Sequence, residues 1–452
     1  MHPLFAFFSF RSPAMKLKKD FNWLQNLKFS LKCKKFKSLQ LKKKNLMKKN
    51  SIKIAMYLNY FVFAILLNSV GIVILKSQKN YGVNEIQASI LEAFKDLPIA
   101  IVSFLIASFL PRIGYKKAML IGLALVTFAC LAMFFGNSFT TAKLLFATVG
   151  VSFALIKVSV YSLIGTITEN QKEHNSLMSN IEGVFMIGIA LAYFLFPAFN
   201  SENNPDAWLN VYLLLALISI LSFGFLFFAK FENQTQIPGV NLADDFKQMF
   251  KLMAKLLTIV FVISAFLFVM IEQGIMTWLP TFNDKVLHLP ENISIMMASI
   301  LAISLAVGRL LAGQITKKID WIWVLVLCII SAMLIVLFVL PKTVGLQVVN
   351  INSLTDIPLI GFAFPLVGLF IAPIYPLLNS VILSALPNTL HSSMTGLIVV
   401  FSALGGTIGS RIIGWLFMNH GPENAFYFTL IPMTLLLISF FILKKLTSKN
   451  GI

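Results

Sequence analysis

Charged side chains are scarce in this sequence: Asp, Glu, Lys and Arg make up 12% of its 452 residues, whereas hydrophobic residues make up 58%. A soluble domain carries charge on about a quarter of its positions, because water has to solvate its surface. This scarcity excludes a soluble enzyme or binding module of ordinary composition. The outer surface of the folded chain is therefore expected to face lipid.

Cysteine is rare as well, and its three occurrences, Cys33, Cys130 and Cys328, are isolated. They have neither the close spacing of a metal site nor a pairing pattern, so we expect no metal, no cofactor and no disulfide framework.

Two sets of catalytic signals are also lacking. The Gly-rich phosphate-binding loop that ends in Gly-Lys-Ser/Thr is absent, which argues against ATP-driven chemistry. An intramembrane transferase needs clustered His, acids or metal ligands, but the histidines are scattered over different loops. Beyond His2 in the N-terminal tail, they are His174, His288, His391 and His420. No catalytic residues are expected, and the chain is predicted not to be an enzyme.

Positive charge is concentrated at the N-terminus. Residues 1–54 hold fifteen Lys or Arg against one acid, so +14 of the net +19 lies there and the remaining chain carries only +5. Overall charge therefore gives no reason to expect a nucleic-acid partner. Two interpretations of this basic cytoplasmic tail are open: a segment lying on anionic lipid, or a chain that starts at Met47.

Twelve apolar stretches are long enough to cross a bilayer, which takes about twenty residues. They are 55–75, 88–110, 117–136, 143–167, 176–199, 210–230, 256–281, 292–314, 321–340, 356–379, 392–417 and 423–444. The longest polar stretch, 231–255, separates the first six from the last six and has the pattern of an amphipathic surface helix. We predict an all-α membrane protein with bundles at 55–230 and 256–446, a cytoplasmic linker at 231–255 and a short tail at 447–452.

Lysine and arginine also predict the orientation. With the N-terminus inside, the inner loops and C-terminal tail hold thirteen of these residues and the outer loops five. Basic loops stay in the cytoplasm, so both termini are predicted to be cytoplasmic. We expect a multi-pass protein of the plasma (inner) membrane, a monomer, whose partners are the lipid bilayer and a small-molecule substrate.

The turn after the second stretch carries a motif. The segment from Ala107 to Lys117 resembles the signature loop of the major facilitator superfamily: Gly, three residues, an acid, a base, any residue, Gly, any residue and two bases. The match covers Arg112, Gly114, Lys116 and Lys117. It departs at Ala107 and at Pro111, where the family has its acid. A weaker copy, from Gly308 and Arg309 to Lys318, follows the eighth stretch. A feature repeated in each half indicates two pseudo-symmetric six-helix bundles.

A second resemblance is narrower. Helix seven, from Phe266 to Leu279, is similar to the corresponding helix of the fucose permease family of sugar–proton symporters, with an aromatic-rich entry and a Glu in mid-helix. This resemblance implies a secondary transporter, a sugar as cargo and proton coupling. The two acids of that family fall at Gly71 and near Lys157, so neither is present here.

Charged and polar side chains inside the spans are the candidate site, because each charge near the bilayer centre costs at least about 2.5 kcal/mol. In the superfamily fold, helices one, four, seven and ten line the cavity. The predicted substrate-binding residues on them are Lys157, Glu272, Gln273, Asn68, Tyr375, Asn379 and Trp278. Lys157 is expected to meet a substrate anion or to pair with Glu272, and a structural ion pair is its alternative. Trp278 is alternatively an interface anchor, and the alternative for Asn68, Tyr375 and Asn379 is ordinary hydrogen bonding between helices.

Three acids are candidates for proton coupling, namely Glu272, Asp96 and Glu182. On helix two, Glu92, Lys95 and Asp96 form either a gate with a titratable acid or a snorkelling salt bridge, and we favour the second. The predicted gating residues are Arg112, Gly114, Lys116, Lys117 and Arg309. The function predicted is alternating-access transport of a sugar, a sugar acid or another organic anion, with anions preferred. A non-transporting receptor on the same fold is the alternative.

Overall fold

The structure is a computed structural model that describes residues 52–168, 171–201, 203–229, 242–316, 318–344, 351, 353–387 and 390–449. The chain divides into two units, Met1–Ile54 and Ala55–Ile452. Of the first unit only residues 52–54 are described, so the basic tail and the alternative start at Met47 lie outside the described residues.

Twelve long helices follow one another along the chain. In order they are α1 (Ile52–Asn68 continued by Val70–Tyr81), α2 (Ile90–Ile113), α3 (Tyr115–Gly136), α4 (Phe139–Ile167), α5 (Gln171–Ala198), α6 (Asn210–Phe228), α7 (Leu256–Lys285), α8 (Glu291–Ile315), α9 (Trp321–Val344), α10 (Leu359–Ser384), α11 (His391–His420) and α12 (Leu430–Lys449). A shorter linker helix, Leu242–Met253, lies between α6 and α7. The start of the predicted linker, 231–241, lies outside the described residues.

The helices have the length and composition of membrane spans. Among the described helices ten qualify, and the two pieces of α1, bent by 45° at Ser69, add an eleventh. The twelfth, α2, has 24 residues and is therefore about 36 Å long, enough to cross roughly 30 Å of hydrocarbon. The expected all-α fold of twelve spans is confirmed.

Local sequence signals explain where several helices begin and end. Before α4, the Ser138 hydroxyl accepts the Thr141 amide at 3.2 Å, while the Thr141 hydroxyl accepts the Ser138 amide at 3.1 Å. This reciprocal pair satisfies two amides that would otherwise lack partners. Between α2 and α3 the chain turns at one residue, Gly114, whose φ of 88° favours glycine. The motif glycine of the sequence is therefore the turn itself.

Apolar side chains cover the outside of the helices as well as their interior. Phe128, Phe135 and Phe228 are each more than 70% exposed, and Leu310 is 75% exposed. In water such residues would be a liability, but against lipid tails they are the expected surface. The exposure pattern agrees with the composition, since the polar groups are kept inside.

Glycines let α11 approach α7 closely. A Cβ on Gly409 would lie 2.5 Å from the Met270 carbonyl oxygen, and one on Gly405 would collide with the Phe266 carbonyl. Only glycine therefore fits at these two positions, and the two backbones are in contact, as small residues allow in membranes.

The loops after odd-numbered helices define one end of the body, here called the odd-loop end, and the opposite end is the even-loop end. Ion pairs join the two six-helix bundles at the odd-loop end. They are Lys79–Asp284 at 2.6 Å, Lys79–Glu291 at 3.5 Å, Lys76–Glu291 and Lys285–Glu85. Arg411 on α11 adds a hydrogen bond to the Ile86 carbonyl. These contacts close the odd-loop end.

Candidate functional site

A cavity of about 220 Å³ lies in the membrane-spanning body, where the two bundles meet. Five helices supply its walls: α1, α2 and α5 from the first bundle, and α7 and α8 from the second. Its polar lining residues are Asn68, Lys95, Asp96, Glu272, Gln273 and Arg309. Its apolar lining residues are Leu67, Ile99, Phe185, Met186, Ile189, Met276, Ala302 and Leu305.

The α2 wall holds two acids around one base. Lys95 Nζ donates to Glu92 Oε1 at 2.5 Å and lies 3.4 Å from Asp96 Oδ1. The Thr277 hydroxyl on α7 donates to Glu92 Oε2 at 3.0 Å. Glu92 is therefore paired on both oxygens, and Asp96 has only a share of Lys95.

These three side chains do not snorkel to the membrane surface. Glu92 is fully buried, Lys95 is 5% exposed and Asp96 is 9% exposed. The snorkelling salt bridge favoured by the sequence is therefore wrong, because the three groups point between the bundles, where α7 and α11 cover them. Gly406 on α11 lies against the Asp96 carboxylate. A Cβ added to this glycine would lie 2.5 Å from Asp96 Oδ2.

The opposite wall carries an ion pair between α7 and α8. Arg309 donates to Glu272 Oε1 at 3.1 Å, and its side chain remains 35% exposed. A second guanidinium nitrogen approaches the Met186 sulfur at 3.8 Å. The sequence pairs Glu272 with Lys157 and assigns Arg309 to a gate, whereas here the two residues are partners inside the cavity. Arg309 reaches it because helical side chains point toward the N-terminal end of their helix.

Two amides complete the lining. Asn68 lies at the break in α1, where its side-chain amide donates to the Ala64 carbonyl at 2.8 Å and its oxygen makes no bond to a described residue. Gln273, next to Glu272, makes no hydrogen bond within the described part of the chain. Broken helices at the midplane are where transporters place their binding groups.

Lys157 lies outside the lining of this cavity. Its ammonium lies over the rings of Phe153 at 5.7 Å and Tyr161 at 5.9 Å, and no carboxylate of a described residue is within 4 Å. The Tyr161 hydroxyl donates to Glu182 Oε1 at 2.7 Å. Lys157, Tyr161 and Glu182 thus form a separate polar cluster between α4 and α5, in which cation–π contact replaces the expected ion pair.

The other predicted site residues, Tyr375 and Asn379 on α10 and Trp278 on α7, also lie outside the lining of the cavity. Tyr375 stacks on Phe268 at 5.5 Å, and its hydroxyl lies 3.1 Å from the Ser402 hydroxyl. The Asn379 side-chain oxygen is buried without a hydrogen-bond partner.

Trp278 is fully buried, and its indole donates to the Ser410 carbonyl at 2.9 Å. It is a packing residue between α7 and α11, so neither a stacking face for cargo nor an anchor at the lipid interface describes it. Its ring fills the space against Phe417, 5.0 Å between centroids.

The signature loop holds α3 against α6. Lys116 Nζ donates to the carbonyls of Phe227 at 2.8 Å and Ala229 at 2.7 Å, at the C-terminal end of α6. A cation is favourable there because the last carbonyls of a helix lack amide partners. Lys117 is exposed, and the side chain of Arg112 lies outside the described residues.

From the sequence, Lys95 is assigned to a gate or a snorkelling salt bridge and not to the cavity, and Thr277 is missed altogether. A signal for Lys95 exists, since three charges within two turns of an apolar helix call for an internal partner. Thr277 carries no such signal, because a hydroxyl in a membrane helix usually bonds to its own backbone.

Two six-helix bundles around a charged cavity are the architecture of a polytopic membrane transporter. A family model described as Major Facilitator Superfamily matches residues 54–409. The chain belongs to the major facilitator superfamily. No curated protein sequence matches it.

Solved structures share the fold at low identity. A bacterial homologue of the human lysosomal transporter Spinster, inward-facing and unoccupied, has a TM-score of 0.67 at 11% identity over 90% of this chain and 98% of the other. The D-xylose–proton symporter gives 0.62 at 13% over 87% and 96%. The transporter FucP in the outward conformation gives 0.59 at 13% over 88% and 99%. The resemblance predicted from the sequence is confirmed at the level of family and fold.

Proposed function

We propose that the protein is a secondary active transporter that moves a small polar solute by alternating access and couples the movement to protons. The observation that carries this proposal is the charged cavity of about 220 Å³ at the meeting of the two bundles. Pockets for drug-sized ligands are about 300–1,000 Å³, so this one suits a smaller solute. The ion pairs of the odd-loop end would have to break for the cavity to open there.

Glu272 is the proton carrier in this proposal. Its carboxylate holds Arg309 at 3.1 Å and so competes with a solute anion for the same guanidinium. Protonation of Glu272 removes that competitor and frees the donors of Arg309. Proton and solute therefore bind together, which is the requirement for symport. Solute affinity is therefore expected to fall as pH rises, because the ionised carboxylate of Glu272 pairs with Arg309 again.

We infer the orientation of the protein in the membrane and its oligomeric state from the sequence. The odd-loop end faces outward from the plasma (inner) membrane, both termini are cytoplasmic, and the protein works as a monomer. Two of the similar structures are those of a fucose–proton symporter and of a D-xylose–proton symporter, so a sugar is one candidate cargo.

Uptake by proteoliposomes tests the proposal. Purified protein is reconstituted, a pH gradient is imposed, and labelled L-fucose, D-xylose, succinate and L-leucine are offered. We expect saturable exchange of one of these classes and accumulation that requires the gradient. Glu272→Gln should bind the solute independently of pH and lose gradient-driven accumulation, whereas Glu423→Gln, an exposed acid outside the cavity, should behave as wild type. Binding without exchange would identify a receptor and overturn the proposal.

A further inference from the structure

The free hydrogen-bonding capacity of the cavity is of two kinds, on opposite walls. On α2, Asp96 lines the cavity and shares the one base with Glu92, its Oδ1 lying 3.4 Å from Lys95 Nζ. On α8, Arg309 uses one strong donor on Glu272 and remains 35% exposed. One wall therefore offers an acceptor for a cation and the other offers donors for an anion.

The α2 wall favours a cation because its charges do not cancel. Glu92 takes the shorter contact of Lys95 and a hydroxyl from Thr277, while Asp96 shares the same base at 3.4 Å, so two carboxylates have one base between them. When all three are ionised, this group keeps one unbalanced negative charge, and Asp96 is its acid that lines the cavity. A desolvated carboxylate without a full counter-charge is strongly stabilised by an ammonium group that enters the site.

The α8 wall favours a carboxylate. A guanidinium has five N–H donors in a planar fork that matches the two oxygens of a carboxylate. Arg309 donates to one oxygen of Glu272, and its other contact is a sulfur at 3.8 Å, which is a weak acceptor. When Glu272 is protonated, the fork becomes free for a carboxylate from the solute.

The remaining lining residues determine which solute skeleton fits in the cavity. Eight of the fourteen lining residues are aliphatic, methionine or phenylalanine side chains, and they come from all five helices. A neutral sugar would offer hydroxyls but no counter-charge to the two charged groups, and would press its other hydroxyls against these apolar walls. A simple organic anion would meet Arg309 but also the unbalanced Asp96.

We propose that the cargo is a zwitterion, an amino acid with an apolar side chain, whose ammonium group binds Asp96 and whose carboxylate binds Arg309. This inference rests on the proposed transport function and names its substrate class. Gly406 contributes by leaving room on α11 for the Asp96 carboxylate, since any Cβ there would displace Oδ2.

Ligand-dependent thermal stabilisation of the full chain in detergent tests the class. The zwitterionic probes are L-leucine, L-methionine, L-phenylalanine and, with a wider charge separation, γ-aminobutyrate. L-Leucinamide lacks the carboxylate, isocaproate lacks the ammonium group, and L-fucose is neutral. Because a hydrogen bond to a charged group contributes about 1.5–3 kcal/mol, the best zwitterion should bind about tenfold to a hundredfold more tightly than either truncated analogue.

Two variants assign the ends of the solute. Asp96→Asn should abolish the preference for L-leucine over isocaproate, and Arg309→Gln should abolish the preference for L-leucine over L-leucinamide. Should Arg309→Gln fail to fold, the neutral pair Glu272→Gln with Arg309→Gln removes both charges of that wall together. The control is Asp206→Asn, an exposed acid at the odd-loop end.

The outcomes separate the two proposals. Stabilisation by L-fucose or succinate but by no zwitterion would overturn the substrate class and leave transport standing. Stabilisation by a zwitterion without its exchange in proteoliposomes would overturn transport and leave the binding class standing. Stabilisation by none of the zwitterionic probes overturns the class in every case.

Discussion

Removal of Lys95 is the sharpest test of the charge arrangement in α2. The ammonium is a buried base in contact with two carboxylates, at 2.5 Å from Glu92 and 3.4 Å from Asp96, and its side chain is only 6% exposed. In Lys95→Met the volume is nearly kept, but two buried acids lose their counter-charge. Breaking a buried ion pair by removing one partner costs about 3–5 kcal/mol. We expect a loss of that size in the free energy of unfolding.

The matched comparison is Lys79→Met at the odd-loop end. Its pair with Asp284 is shorter than the Lys95–Asp96 contact, 2.6 Å, but the lysine side chain is 35% exposed. Exposed pairs contribute about 0–1 kcal/mol, so burial and not distance should decide the difference between the two variants. A third variant, Lys95→Met with Glu92→Gln, leaves one acid instead of two and should recover part of the loss.

Chemical unfolding in detergent at several pH values measures these differences. The deficit of Lys95→Met should shrink as pH falls, because a protonated carboxylate needs no counter-charge. If Lys95→Met and Lys79→Met were equally stable at neutral pH, the claim that Lys95 is the buried hub of the cavity wall would be refuted.

Three further outcomes follow from the geometry. Gly409→Ala should lower stability by about 1–3 kcal/mol through overpacking against α7, whereas Gly224→Ala, with nothing within 4 Å of the added Cβ, should be neutral or slightly stabilising in the same unfolding assay. Exchanging the charges of Lys79 and Asp284 singly should change the solute exchange rate up to about fivefold, and the double exchange should restore it in part, because an acid at position 79 would then face Glu291. Tyr161→Phe removes the 2.7 Å bond to the α5 carboxylate, which should reduce stability by about 1.5–3 kcal/mol unless water replaces the hydroxyl.

Much of the fold could be predicted because its signals are local. Hydropathy alone separates twelve spans, and Gly114 marks the turn between α2 and α3 where the sequence motif places it. Gly405 and Gly409 on α11 are another local signal. Because they lack a side chain, α11 can pack closely against α7 at these positions. Such features depend on composition and spacing along one helix.

The pairing of charges could be predicted only in part, because it depends on helix rotation and on contacts between distant segments. Lys157 and Glu272 are both mid-helix charges, and nothing in the sequence tells that one faces aromatic rings and the other Arg309. Two adjacent residues of a helix point about 100° apart, so a small error in rotation moves a side chain to another neighbour. The sequence identifies which charges need a partner, and the packing of helices decides which partner each one has.

Charge balance in the cavity predicts which step of the cycle senses voltage. The four ionisable lining residues, Lys95, Asp96, Glu272 and Arg309, together with Glu92, which pairs with Lys95, sum to one negative charge when all are ionised. One proton on Glu272 and a neutral zwitterion bring the loaded cavity to zero, so the loaded step should be insensitive to membrane potential. The empty carrier retains one negative charge. Its return to the outward-facing state should be accelerated by an inside-negative potential, by at most about 2.3 kcal/mol per 100 mV if the charge crossed the whole field.

Potassium diffusion potentials in proteoliposomes separate these steps. Net uptake requires the empty return, whereas exchange of internal for external solute does not. We expect an inside-negative potential to accelerate net uptake severalfold and to leave exchange unchanged. Equal acceleration of both would mean that the loaded cavity carries a net charge. Because a zwitterion with one proton cannot supply that charge, this result would contradict both the carrier role of Glu272 and the charge type proposed for the solute.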